Sequence, residues 1–322
     1  MESRWESGSA NGNDDGRGAR VTRRAGSPAI VSFGGGPRGT ERRRAPSRAR
    51  DGGRIVHGNL RTRPIPTPLR PRGPAAPPPR SMLLLLHGAL GARSQFDALL
   101  PLVAHLGPVV ALDLEGHGAR PAADRPFRIE HFAENVRELL AAQGVERAAI
   151  FGYSMGGYVA LHLAATHPAL VSAVFTLGTK LAWSPETAAR EVAQLDPAAI
   201  AARVPRFAQA LAARHTGAGW ERVLRETAGL LRELGDRPPL TADVLGGIAC
   251  PVRLAVGDRD ATVTLEETRD AMRALPHGTL EVLPGTPHPF ERVPLGRLAW
   301  SIGEFLGTED VARRTEDVAR GT

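Results

Sequence analysis

The sequence predicts an α/β fold: a mostly parallel, doubly wound sheet with a helical cap inserted between two of its strands. Three observations carry this. From residue 81 onward, short apolar runs alternate with segments of helical spacing, the pattern of strand–helix–strand units. Between about 181 and 246 the alternation stops and helical segments follow one another without a strand, after which strands resume. At the third apolar run, Ala148-Ala149-Ile150-Phe151 leads through Gly152-Tyr153-Ser154-Met155-Gly156 into a helix that begins with small residues.

Taken in order, 82–86 is a continuous apolar run and reads as a buried strand, and 94–106 carries helical spacing. Then come a strand at 109–112, a helix at 129–143, a strand at 148–151, the helix 154–167 and a strand at 170–177. The inserted block reads as three helices, 185–196, 197–215 and 220–234, punctuated by Pro197, Pro205 and Pro238-Pro239. An insertion at the carboxyl ends of two strands is placed to lie over them as a lid and shape a pocket. Strands at 252–256 and 280–283 and a last helix at 294–306 complete the series. The expected organisation is therefore a leader (1–80), a first part of the core (81–180), a cap (181–246), a second part of the core (247–308) and a tail (309–322). That tail repeats Thr-Glu-Asp-Val-Ala-Arg and reads as a frayed helical end.

The net charge of +7 is unevenly distributed: residues 1–80 hold 17 Arg and 6 acidic side chains, a net of +11, and the remainder nets −4. The leader is rich in Arg, Gly, Pro, Ser and Ala and buries too little apolar surface to offset its ordering entropy, so disorder is the expectation. Two patches in it, 29–33 and 54–60, have edge-strand character. Clustered arginine attracts phosphates, yet only Trp5 and Phe33 offer rings for base stacking, so nucleic acid is not the expected partner. A start codon assigned too far upstream accounts for such a leader equally well. Cys250 is the lone cysteine, which excludes an intrachain disulfide and fits a reducing, cytoplasmic compartment. Apolar runs such as 82–86 are far too short to span a membrane, and the N-terminus has no apolar core of a secretory signal.

The chemistry centres on Ser154. Gly152 and Gly156 flank it at minus two and plus two, where side chains would collide as strand and helix cross. The turn presents the hydroxyl at the carboxyl end of the strand, where ligands bind in open α/β sheets. A serine hydroxyl is a poor nucleophile at neutral pH and needs a base, which in turn needs an orienting partner. Asp260 follows the strand 252–256, and His288 follows the last strand, so all three side chains can converge above one sheet edge. Asp258 competes for the acid, but its place beside Gly257 suits turn-making. His87 and His117 fit support of loop geometry better than proton transfer. His and carboxylates do not gather at ligand spacing, so no metal and no cofactor is expected.

Gly152–Gly156, the pattern from Gly257 to Asp260 and that from Gly285 to His288 together resemble the α/β-hydrolase superfamily. Leu86-His87-Gly88-Ala89 and Asp113-Leu114-Glu115-Gly116-His117-Gly118 are similar to its two early loops. The resemblance covers roughly 82–307. It implies a capped serine hydrolase with an oxyanion hole from the backbone N–H groups of Ala89 and Met155. It also implies first antiparallel strands before Met82, where this chain offers only weak candidates, so the sheet is expected to be trimmed. Tyr153 and Leu90 are expected to line the pocket for a small-molecule acyl substrate. An ester, thioester or lactone is the leading expectation. Carbon–carbon bond hydrolysis, cofactor-free perhydrolysis and a non-catalytic ligand-binding protein with a vestigial triad remain as alternatives. Neither substrate identity nor oligomeric state is readable from the sequence.

Overall fold

The computed structural model describes residues 82–320, and side chains within 82–307. The expectations for the leader, including its two strand patches and any strand before Met82, lie outside the described residues. Six strands form one wholly parallel sheet: β1 (Met82–Leu86), β2 (Val109–Leu112), β3 (Ala148–Tyr153), β4 (Val171–Leu177), β5 (Val252–Gly257) and β6 (Gly278–Leu283). Their spatial order is β2-β1-β3-β4-β5-β6. The chain steps from β1 outward to β2, then returns to lay β3 on the other side of β1. That reversal opens a crevice at the carboxyl ends of β1 and β3, the place where such sheets bind ligands.

The central strands are buried on both faces, which is why they read as continuous apolar runs. Met82, Leu84 and Leu86 of β1 enter one core with Ile150 of β3, α2 (Ile129–Ala142) and α3 (Met155–Thr166). Leu83 and Leu85 enter the opposite core with Phe151 of β3, Phe96 and α10 (Leu295–Arg320). Burying each such side chain contributes about 1.5–3 kcal/mol, so neither face of β1 could be left wet.

The helices differ from the expectation in identifiable ways. The segment 94–106 is not one helix but a 3₁₀ turn (Arg93–Phe96), the short α1 (Leu100–Val103) and a second 3₁₀ turn (Ala104–Leu106). Pro101 has no N–H to give and its ring would crowd the carbonyl of Asp97, so the helix restarts with the proline in its first turn. Between β4 and β5 stand five helices rather than three: α4 (Pro185–Val192), α5 (Pro197–Arg203), α6 (Pro205–Arg214), α7 (Trp220–Asp236) and α8 (Ala242–Gly246). Pro205 divides the expected 197–215 helix by holding Val204 outside the helical region (φ −134°, ψ 62°). Helices α5, α6 and α7, with Leu195 of the linker before α5, share a small core formed by Leu195, Ile200, Ala208, Leu211, Leu224 and Ala228. Two helices lie outside every expected one: α8, whose cap is Thr241, and α9 (Leu265–Ala274), opened by a capping box of Thr264 and Glu267. The last helix continues through the repeated hexapeptide to Arg320. Among the described residues, no helix is long and apolar enough to cross a membrane.

Candidate active site

Ser154 is the sharp corner between β3 and α3. Its backbone sits at φ 51°, ψ −117°, and among the described residues it is the only non-glycine at positive φ. L-residues avoid this region, so the surroundings must hold it there. The Ser154 N–H donates to the Leu177 carbonyl at the end of β4 (2.8 Å), and its own carbonyl accepts from the Thr179 hydroxyl (2.9 Å). At Gly156 a methyl group would overlap the Leu86 carbonyl at the end of β1, so α3 can start this close to the sheet only with glycine there. Met155 is the first residue of α3, and its N–H has no intrahelical acceptor.

His288 and Asp260 meet on the loops after β6 and β5. The imidazole Nδ1 donates to Asp260 Oδ2 at 2.7 Å, and Asp260 Oδ1 accepts from the N–H groups of Thr262 and Val263, both at 2.8 Å. The carboxylate is thus held by three donors and almost wholly enclosed, and with Nδ1 donating to it, Nε2 is the ring nitrogen left free of Asp260. Asp258 instead braces the loop, accepting from the Thr286 N–H (3.3 Å). The Tyr153 hydroxyl donates to the His288 carbonyl (2.7 Å), so this side chain both lines the pocket and anchors the histidine loop. Burial, reinforced by the negative charges of Glu291 and Asp260, raises its phenol pKa and keeps the donor protonated. Gly178, which sequence reasoning missed, lies beneath the pair at φ 60°; a Cβ there would stand 3.1 Å from Asp260 Oδ2 and 3.3 Å from His288 Nδ1. Its position just past β4, at the same sheet edge as the elbow, was the available signal.

The loop after β1 is held by three buried histidines. His87 Nδ1 donates to the Gly88 carbonyl (2.8 Å), because its Nε2 is occupied as acceptor of the Leu114 N–H (3.2 Å). His117 Nε2 meets the Ala89 carbonyl at 2.8 Å. His215, at the end of α6, accepts the Gly118 N–H on Nδ1 (3.1 Å) and therefore donates from Nε2 to the Leu90 carbonyl (3.1 Å). Arg214 reaches the same carbonyl (2.8 Å). Three successive carbonyls, 88 to 90, are thus tied down by imidazoles. The sequence marked His87 and His117 as loop supports but not His215, which is 97 residues from its Gly118 partner.

Burial disfavours the charged form of these rings. It lowers His87 well below the ordinary imidazole value, lowers His117, and with the neighbouring His117 takes His215 down to about 4. The unfolded chain therefore binds protons that the folded one refuses, beginning near the ordinary value of about 6.5 as pH falls. Stability is full above that pH and declines until the folded His215 itself titrates near 4. For this ring alone the loss is on the order of 3 kcal/mol. Urea unfolding at pH 7 and 4.5 checks it: His215→Gln, which keeps a donor for Leu90 without a titrating group, should lose less stability on acidification than wild type. Equal losses would exclude His215 as the source.

Ser154, His288, Tyr153, Met155, Ala89 and Leu90 all line one cavity of about 400 Å³, with Asp260 behind His288. The helices between β4 and β5 supply its far wall, through residues such as Leu195, Phe207, Leu231 and Leu234.

The family described as alpha/beta hydrolase fold matches residues 82–243. Pimeloyl-[acyl-carrier protein] methyl ester esterase of Chromobacterium violaceum is 33% identical over 228 residues, which is 64% of this chain and 84% of that relative. The esterase of the same name from Neisseria meningitidis serogroup C is 49% identical over 84 residues, 26% of this chain. That shorter match spans only about a third (31%) of the relative's own length. Among solved structures, a thermophilic esterase from Thermogutta terrifontis shares the fold at a TM-score of 0.58 and 22% identity, covering 71% of this chain and 90% of that one. A monoacylglycerol lipase from Paleococcus ferrophilus does so at 0.55 and 23%, covering 72% and 96%. The matched family model, which spans half the chain, and the relative matched over most of its length agree with the parallel sheet and its crossing order: the chain belongs to the alpha/beta hydrolase fold family.

Proposed function

We propose that the protein is a serine esterase that cleaves carboxylic esters through an acyl-enzyme on Ser154. In this reading the Ser154 oxygen attacks the ester carbonyl as His288 Nε2 takes its proton. The imidazolium is stabilised by Asp260 and returns the proton to the departing alcohol. Water, deprotonated by the same nitrogen, then attacks the acyl-enzyme and releases the acid and the free serine. The Ala89 and Met155 N–H groups receive the tetrahedral oxyanion, each donor contributing about 10²–10³ in kcat. Fixing the carbonyls of residues 88 to 90 stiffens the loop that offers the Ala89 donor, which favours pre-organisation over reorganisation during the reaction. The helices between β4 and β5 act as the cap.

The observation that carries the proposal is the 2.7 Å contact between His288 Nδ1 and Asp260 Oδ2 at the rim of the cavity into which the strained Ser154 turn projects. The apolar wall favours an apolar acyl group. The likeness to the Chromobacterium violaceum relative, named for a methyl ester, favours esters of small alcohols as the class. A fluorophosphonate probe should label Ser154 in the folded protein, and p-nitrophenyl acyl esters of increasing chain length should be turned over. A folded protein that resists the probe at Ser154 would end the reading. Labelling without turnover of any ester would instead point to carbon–carbon bond hydrolysis, perhydrolysis or simple ligand binding.

A further inference from the structure

The four residues 177–180, which lead out of β4, reach both halves of the site. The Leu177 carbonyl accepts the Ser154 N–H (2.8 Å), and the Thr179 hydroxyl donates to the Ser154 carbonyl (2.9 Å). Between them Gly178 passes beside Asp260 and His288. Lys180 Nζ then donates to the carbonyl of Thr262 (3.2 Å), whose own N–H holds Asp260. The strained φ and ψ of Ser154 are rotations between the peptide units on its two sides, and each unit is planar. Both units are fastened to this one segment, the first through its N–H and the second through its carbonyl. That carbonyl also accepts from the N–H groups of Gly157 (3.0 Å) and Tyr158 (3.3 Å), but these belong to α3 and turn with it. Thr179 ties it to the sheet instead. The Thr179 side chain is 2% exposed, and a methyl group on Gly157 would overlap its Oγ1. Glycine three residues past the nucleophile thus leaves the room that this hydroxyl occupies.

Resting on the esterase reading above, we propose that Thr179 is a positioning residue for the nucleophile and the oxyanion hole together. The Ser154 carbonyl and the Met155 N–H are opposite edges of a single planar peptide unit. The hydroxyl that fixes the direction of the carbonyl therefore also aims the N–H that receives the oxyanion. Thr179 does not line the cavity and acts through Ser154 and Met155. Its effect falls on the transition state, where negative charge develops on the carbonyl oxygen, and hardly at all on ground-state binding.

The test compares wild type, Thr179→Val and Thr179→Ser as full chains on p-nitrophenyl butyrate. Inhibition by a trifluoromethyl alkyl ketone is measured alongside. Its carbonyl carbon bonds to Ser154 Oγ, the serine proton passes to His288, and the ketone oxygen becomes a hemiketal oxyanion. Thr179→Val keeps the shape and removes the hydroxyl; it should lower kcat roughly tenfold with KM within about twofold of wild type. Ketone inhibition should weaken by a similar factor, and Thr179→Ser should recover most of both losses. If Thr179→Val does not fold, Thr179→Ala is read the same way, and refusal of both to fold would make the hydroxyl a folding requirement and overturn the inference. Unchanged kcat and inhibition in a folded hydroxyl-free variant overturn it and leave the esterase standing. So does a loss that serine fails to recover, or a change confined to KM. Failure of both labelling and turnover in wild type removes the esterase reading and this inference with it.

Discussion

Ser154→Ala should lower kcat on p-nitrophenyl esters by about 10⁴–10⁶ and abolish fluorophosphonate labelling. The size follows from what is lost. Without the hydroxyl no acyl-enzyme can form, and the His288–Asp260 pair has nothing to activate except water, which is not held for attack. Residual turnover then comes from the donors around the carbonyl alone. Alanine feels the same backbone strain at φ 51° as serine, so the fold should be nearly unaffected, with unfolding free energy within about 0.5 kcal/mol of wild type. That separation matters: a loss of activity accompanied by a lower melting temperature would be a folding effect. A folded variant keeping more than about one hundredth of wild-type kcat would place the nucleophile elsewhere.

Gly156→Ala should cost about 3 kcal/mol or more, enough to lower the melting temperature by on the order of 10 °C or prevent folding. A methyl group at this position would overlap the carbonyl of Leu86 and crowd that of His87. Both obstacles are main chain at the end of β1, a strand paired on both sides, so neither can swing away as a side chain would. Relief requires α3 to lift off the sheet, which separates Tyr158, Val159 and Leu161 from the core they fill and displaces Ser154. The comparison is Gly229→Ala in the middle of α7, where nothing lies within 4 Å of the added carbon. There the expected change is a gain of about 0.5–1 kcal/mol from reduced backbone freedom. Thermal melts of the two variants side by side would expose any error: equal shifts would mean that crowding at the elbow is not what constrains residue 156.

The parts legible in the sequence are those whose physical requirement is local. A strand, a turn that tolerates only small flanking residues and a helix occupy consecutive positions from Ala148 to Thr166, so the elbow is written in one stretch. Asp260 and His288 could be placed because each follows a strand, and parallel strands bring their carboxyl ends to one edge. What escaped depends on contacts between distant segments. His215 looks like any residue at the end of a helix until α6 is docked on the loop carrying Leu90. The α9 helix is hidden for a different reason: its sequence is mostly polar, so no apolar run announces it, and the Thr264/Glu267 capping signal is the cue. Pro101 and Pro205 act as boundaries, because neither ring can sit in a helix interior and each stands in the first turn of its helix.

The corner at residue 154 sets chemistry and comfort of the chain against each other. Glycine would occupy φ 51°, ψ −117° without penalty, so replacing the serine by glycine should make a sturdier and inert protein. Glycine is the one replacement that removes this strain; any other side chain inherits it.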